Sequence, residues 1–209
     1  MVFAHCLPAA AVVTPPRAAG LYVRPHSHHL MPTYAAPGSP EKKQESRNAQ
    51  KVARLLANKL RALGFQRTKT SIFTRPKQHV IEFVHIHKLT FAASFRVHFG
   101  VRVRSDDFPG AHLNGPCSDE IADPEVPNHR RYRFDFDAEE ASWESCAQEM
   151  YQCVLADGLR WFTSVEEPEL LLSLQSPLTP TARAALQREI DSQTRIQVSE
   201  ATQRVLNAA

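Results

Sequence analysis

The chain reads as an α+β domain in which helices pack on one face of an antiparallel sheet of about four strands. Three observations predict this. From Phe91 to Arg104, Phe91, Ala93, Phe95, Val97, Phe99, Val101 and Val103 alternate with smaller or polar residues, the period-two pattern of a strand with one buried face. Upstream, Val52, Leu55, Leu56, Leu60 and Leu63 recur at helical spacing. Downstream, Trp143, Cys146, Met150, Cys153, Val154 and Leu155 form the apolar side of a second helix.

Each element has its own local justification. Ser46 or Asn48 is suited to cap the first helix, and Gly64 ends it in the manner of a left-handed C-terminal residue. Lys69–Arg75 and His79–Lys88 are rich in β-branched and aromatic residues and flank a Pro76-Lys77-Gln78 turn. Leu89-Thr90 then reads as a tight turn into the long strand, and Gly100 marks a bulge or bend within it. Ser105–Asn128 is rich in proline and acids and is expected to cross an end of the sheet. His129–Asp137 resumes the alternation with Tyr132, Phe134 and Phe136, and Asp137 is expected to cap a helix running to about Phe162, its last turn weakened by Gly158. Pro168–Leu174 reads as a short apolar helix.

The domain organisation follows from composition. With 209 residues, 43% of them apolar, the chain can bury one core and is short for two ordinary domains. Residues 46–175 form the domain. Residues 1–45 are read as a disordered tail, because the first 40 hold seven of the 15 prolines and no acid. Met31 lies inside that tail and is a candidate for the true start. Residues 176–209 are read as a separate polar helical segment beginning at Thr179-Pro180.

Several function classes find no support. No apolar run approaches the roughly 18 residues that a membrane helix needs, so no membrane contact is expected. Leu7–Val13 contains Pro8 and has no basic residue before it, a poor signal peptide. Cys146 and Cys153 are seven positions apart on a helix, about 10 Å, beyond disulfide reach. They read as small buried residues in a reducing cytoplasm. There is no Gly-x-Ser-x-Gly, phosphate-binding glycine loop, dinucleotide fingerprint or His-Glu-x-x-His, so neither a cofactor nor an enzyme activity is indicated.

Four constellations are candidate sites. His85 and His87 share a strand face, but a tight turn at Leu89-Thr90 sets His98 opposite Ile81, about 13 Å from His85. That leaves no third ligand for a catalytic metal. The tail's His26-Ser27-His28-His29 lacks a scaffold. Cys117 could serve as a nucleophile only if a base such as His112 meets it in space. Asp135 and Asp137 share their face with Arg131 and Arg133, as ion-paired surface residues do.

The charge distribution points elsewhere. From Arg47 to Arg104 there are 13 Lys/Arg and one acid, Glu82, whereas Ser105–Leu170 holds 16 acids and four arginines. The preferred explanation is that the halves interleave and neutralise each other. A nucleic-acid footprint is the alternative. The polar face of the sheet collects Arg96, His98, Arg102, Arg104, Arg131 and Arg133. Arginine suits carboxylate and phosphate recognition. The leading expectation is therefore a non-enzymatic binding domain for an acidic protein surface, an immunity-type inhibitor of a toxin being one example. Nucleic-acid binding through the same arginines is the alternative.

The order of elements, with Leu63-Gly64-Phe65, a strand ending near Phe73, the Phe95–Val103 strand, and Leu159-Arg160-Trp161-Phe162 closing a helix, resembles the bacterial domain-of-unknown-function family 4304 over about residues 48–172. The loop Ala111–Asp119 departs from that pattern. The resemblance implies helices against an antiparallel sheet and implies no activity.

Overall fold

A computed structural model describes residues 35–192 and 197–207. Tail residues 1–34, with Cys6, the histidine run and Met31, lie outside the described residues. The architecture is α+β, with a five-stranded antiparallel sheet in the order β1 (Gln66–Lys69), β2 (Ile72–Pro76), β3 (Val80–Lys88), β4 (Ser94–Val103) and β5 (Phe134–Asp135).

Helix α1 (Pro40–Arg61) begins earlier than Ser46. Ser39 Oγ accepts from Lys42 N–H at 3.1 Å and Pro40 takes the first helical position, a strong start signal. Its first turns dock by polar contacts, which explains why no apolar period announced them. Lys42 donates to Thr90 O at 2.7 Å, and Lys88 reaches the Glu45 carboxylate. Gly64, at φ +83°, ends the helix in the left-handed region that favours glycine.

The main core lies between the sheet and α1, α2 (Glu140–Cys153), α3 (Leu159–Ser164), α4 (Pro168–Leu172) and α5 (Pro180–Asp191). Phe95, Val97, Phe99, Val101 and Val103 all enter it, as the alternation predicts. Glu139, rather than Asp137, takes the α2 N-cap position. Asp137 Oδ1 accepts from Glu139 N–H at 2.7 Å, just ahead of the helix. A π-turn, Val154–Gly158, joins α2 to α3. Gly158 sits there because a Cβ would lie 2.7 Å from Cε1 of Phe99, so it makes room for a core ring.

The long alternation overruns the strand. Phe91 is 70% exposed, and β4 starts only at Ser94, because Leu89 to Ala93 form a longer turn closed by Leu89 N–H donating to Ser94 O at 2.9 Å. This turn sets the register: Lys88 faces Phe95, His87 faces Arg96, and His85 faces His98, not Ile81. The β3–β4 ladder then runs to Val80 and Val103 without a bulge. Gly100 serves a different purpose. It faces Phe83, and a Cβ there would stand 2.2 Å from Phe83 Cζ. Gly100→Ala is expected to destabilise by about 1–3 kcal/mol through overpacking, with Phe83→Leu recovering part of the loss. Urea denaturation reads this, and a Gly100→Ala variant within 0.5 kcal/mol of wild type contradicts it.

Helices do not keep to one face. Ile72, Ile81 and Phe83, on the other side of the sheet, pack against Val198, Val205 and Leu206 around α6 (Glu200–Leu206). The C-terminal segment is thus part of the fold: α5 adds Ala182, Ala185 and Leu186 to the main core, and α6 packs on the opposite face. The loop after β4 also departs from expectation. It runs back along β4, with Phe99 N–H donating to Pro116 O at 3.1 Å and Gly115 N–H to Phe99 O at 3.2 Å. Asn114 and Ser118 side chains complete the pairing at Val101 and Val97.

Candidate functional site

The outer face of β3 and β4 divides in two. At the Val103 end, Arg102 is 3% exposed and its guanidinium is fully engaged. Nε donates to Thr202 Oγ1 at 2.6 Å, Nη1 to Gly110 O at 2.6 Å, and Nη2 to Asp106 O and Phe108 O at 2.9 and 2.6 Å. The Asp106 carboxylate stands 3.7 Å from Nη1. Arg102 therefore ties the 106–110 loop and α6 to the sheet and presents nothing to a partner. Arg104 lies beside it, half-buried, with Nη1 donating to Lys77 O at 3.4 Å and its backbone carbonyl accepting from Ser199 N–H.

The other end of this face is polar. The His85 ring lies 6.0 Å from His98 and 6.2 Å from His87. Cys117, held beside β4 by an antiparallel bridge to His98, places Sγ 3.8 Å from His98 Nε2. The observed register sets His98 opposite His85, where a tight turn at Leu89-Thr90 would have separated them. Even so, among the described residues no three His, Cys, Asp or Glu side chains stand so as to hold a metal ion.

The electrostatics of this cluster favour neutral groups. Burial lowers the pKa of both His85 and His98, and the neighbouring imidazoles lower them further. Burial likewise raises the Cys117 thiol; a hydrogen bond from the Asp119 backbone N–H offsets this in part, while the Asp119 and Glu120 charges add to the rise. A nucleophilic cysteine needs the reverse, a thiolate stabilised by an imidazolium or other positive neighbour. His112, the base considered from the sequence, stacks on Phe108 at 4.2 Å. Cys146 and Cys153 are buried in α2, with thiol pKa values raised by burial.

The cations gather at the Ser94 end. Arg96, opposite His87, pairs with the Asp119 carboxylate, and Arg130 Nη1 reaches the same Oδ2 at 3.1 Å. Arg133 precedes β5, exposed and without an ion pair among the described residues. Arg131 turns toward the helices, with Nη1 3.6 Å from Asp157 Oδ1, while Tyr132 donates to Asp157 Oδ2 at 2.5 Å. Of the six residues expected to form one surface, Arg96 and Arg133 remain accessible at this end. Arg130 joins them unforeseen, since its role depends on a loop returning Asp119 to the sheet.

No family model, curated protein or solved structure matches this chain. Among the described residues no helix is long and apolar enough to cross a membrane.

The opposed charge blocks do interleave. Lys59 pairs with Glu144 at 2.8 Å, Lys77 with Glu166 at 2.7 Å, and Arg96 and Arg102 with Asp119 and Asp106. Each pair joins the basic half of the chain to the acidic half, as the cancelling totals suggested.

Proposed function

We propose that this chain is a non-enzymatic binding domain that recognises an acidic protein surface through Arg96, Arg130 and Arg133. The observation that carries this reading is the convergence of two guanidiniums, from β4 and from a loop, on the single carboxylate of Asp119. That arrangement already binds a carboxylate at the surface, and the exposed Arg133 and His87 extend it. The neutral imidazole–thiol cluster beside it supports a recognition role over a chemical one. Among the described residues Cys117, Cys146 and Cys153 are buried and free, which favours a reducing cytoplasm. The resemblance to family 4304 fits this reading and adds no activity to it.

Immobilised polyglutamate tests the proposal. The wild-type chain is expected to be retained at about 50 mM salt and released as salt rises. Asp119→Asn frees both guanidiniums and is expected to strengthen retention. Arg96→Glu combined with Arg130→Glu is expected to weaken it at least about tenfold, or roughly 1.4 kcal/mol. Absence of wild-type retention at low salt defeats the proposal. Retention on single-stranded DNA instead, lost through these same substitutions and steeply salt-dependent, assigns the face to nucleic acid.

A further inference from the structure

A second concentration of cations lies at the opposite edge of the sheet, and among the described residues no acid pairs with it. Gln50 and Arg54 stand one turn apart on α1 and line a cleft with Arg67 of β1 and Thr70 of the following turn. The register explains why Arg67 meets α1. It faces Phe73, whose ring enters the core on the α1 side of the sheet, and directly paired residues share a face.

The Arg67 guanidinium is fixed against the turn. Nε donates to Lys69 O and Thr70 O at 3.3 and 3.1 Å, and Nη2 donates to Thr70 O at 2.5 Å. Nη1 has no hydrogen-bond partner among the described residues. The side chains of Gln50, Arg54 and Thr70 have no hydrogen-bond or ion-pair partner among the described residues. Burial and then the nearby Arg54 charge hold Arg67 below the ordinary arginine pKa, so the two guanidiniums act on each other. This contrasts with Arg96 and Arg130, which share Asp119. The one acid between Arg47 and Arg104 is Glu82, which is already committed to Arg75.

We propose that the cleft between α1 and the β1–β2 turn binds a phosphate group through Arg54 and Arg67, with Gln50 and Thr70 bonding its remaining oxygens. An anion there relieves the repulsion between like charges. Donors from a helix, a strand and a turn approach from several directions, as the oxygens of a tetrahedral oxyanion require. The phosphate comes either from a phosphorylated small molecule or from a nucleic-acid backbone. The site shares no residue with the Arg96–Arg130 surface, so either can fail alone.

Amide NMR of the full chain, titrated with inorganic phosphate, tests the site. Saturable shifts are expected at Gln50, Arg54, Arg67 and Thr70, with millimolar affinity, as suits a single small anion. Arg54→Gln, on an exposed helix position, is expected to weaken binding about fivefold or more without disturbing the rest of the spectrum. Arg67→Gln is expected to do the same, while Arg130→Gln leaves binding unchanged. Two further arms identify the source. A short oligothymidylate that binds far more tightly than thymidine monophosphate, with steep salt dependence, points to nucleic acid. Equal or tighter binding of the monophosphate points to a small molecule. Non-saturating shifts, shifts centred on Arg96 and Arg130, or wild-type affinity in Arg54→Gln overturn the proposal.

Discussion

Arg102→Met is expected to destabilise the fold by about 3–5 kcal/mol, the range for removing one partner from a buried charged network. The side chain carries four hydrogen bonds into the 106–110 loop and α6. Its loss leaves the carbonyls of Asp106, Phe108 and Gly110 without that donor and removes the cation beside the Asp106 carboxylate. Total stability of a domain is usually about 5–15 kcal/mol, so the effect is large. Urea denaturation measures it. Hydrogen exchange locates it, and the α6 amides are expected to lose protection first, because Ser199 and Thr202 anchor that helix to Asp106 and Arg104. Lysine at 102 is a poor rescue, since an ammonium lacks the fork that reaches three carbonyls. A loss below about 1 kcal/mol would return Arg102 to the role of a surface residue.

Arg75→Met is expected to have an effect of similar size, about 3–5 kcal/mol, for a related reason. Glu82 is 2% exposed on the core side of β3, and Arg75 Nε meets its Oε2 at 2.5 Å. The same guanidinium donates to Leu63 O at 3.0 Å and stacks over Phe65 at 4.6 Å. Methionine keeps most of the apolar contact but strands the carboxylate. Lys77, 3.9 Å from Glu82 Oε1, compensates in part and places the effect toward the lower end of the range. The double substitution Arg75→Met with Glu82→Leu removes both charges and is expected to be more stable than Arg75→Met alone. A double variant no more stable than the single one refutes this account of the pair.

The two arginines show what the sequence made legible and what it hid. The inner face of β4 was readable because Phe95 to Val103 repeat every second residue against one core, and the helical stripes of α1 and α2 were readable for the same reason. The outer face was misread because its cover comes from far along the chain. Helix α6 is seven residues long and supplies only Val205 and Leu206 as large apolar side chains. A buried arginine looks like a surface arginine until the carbonyls around it are known. Phe91 and Ala93 continue the strand's phase by coincidence while lying in the turn, which shifted the expected register and moved His98 away from His85. In the candidate site, Arg96 was legible as a cation on a polar face. Its partners Asp119 and Arg130 depend on the path of the 105–130 loop, which no local pattern encodes.

That loop has a consequence for how the protein meets others. Residues 114–118 and β5 together occupy the free side of β4, so that side offers no row of open amides to an incoming chain. At the other end, β1 is four residues long and bears Arg67 and Lys69, and Lys69 is bonded to Arg204 O. Short, charged outer strands resist joining a neighbour's sheet. Association by strand addition, the route to both peptide augmentation and amyloid-like stacking, is closed along β4 and discouraged along β1. Along β4 and β1, recognition falls to side chains rather than to open backbone amides.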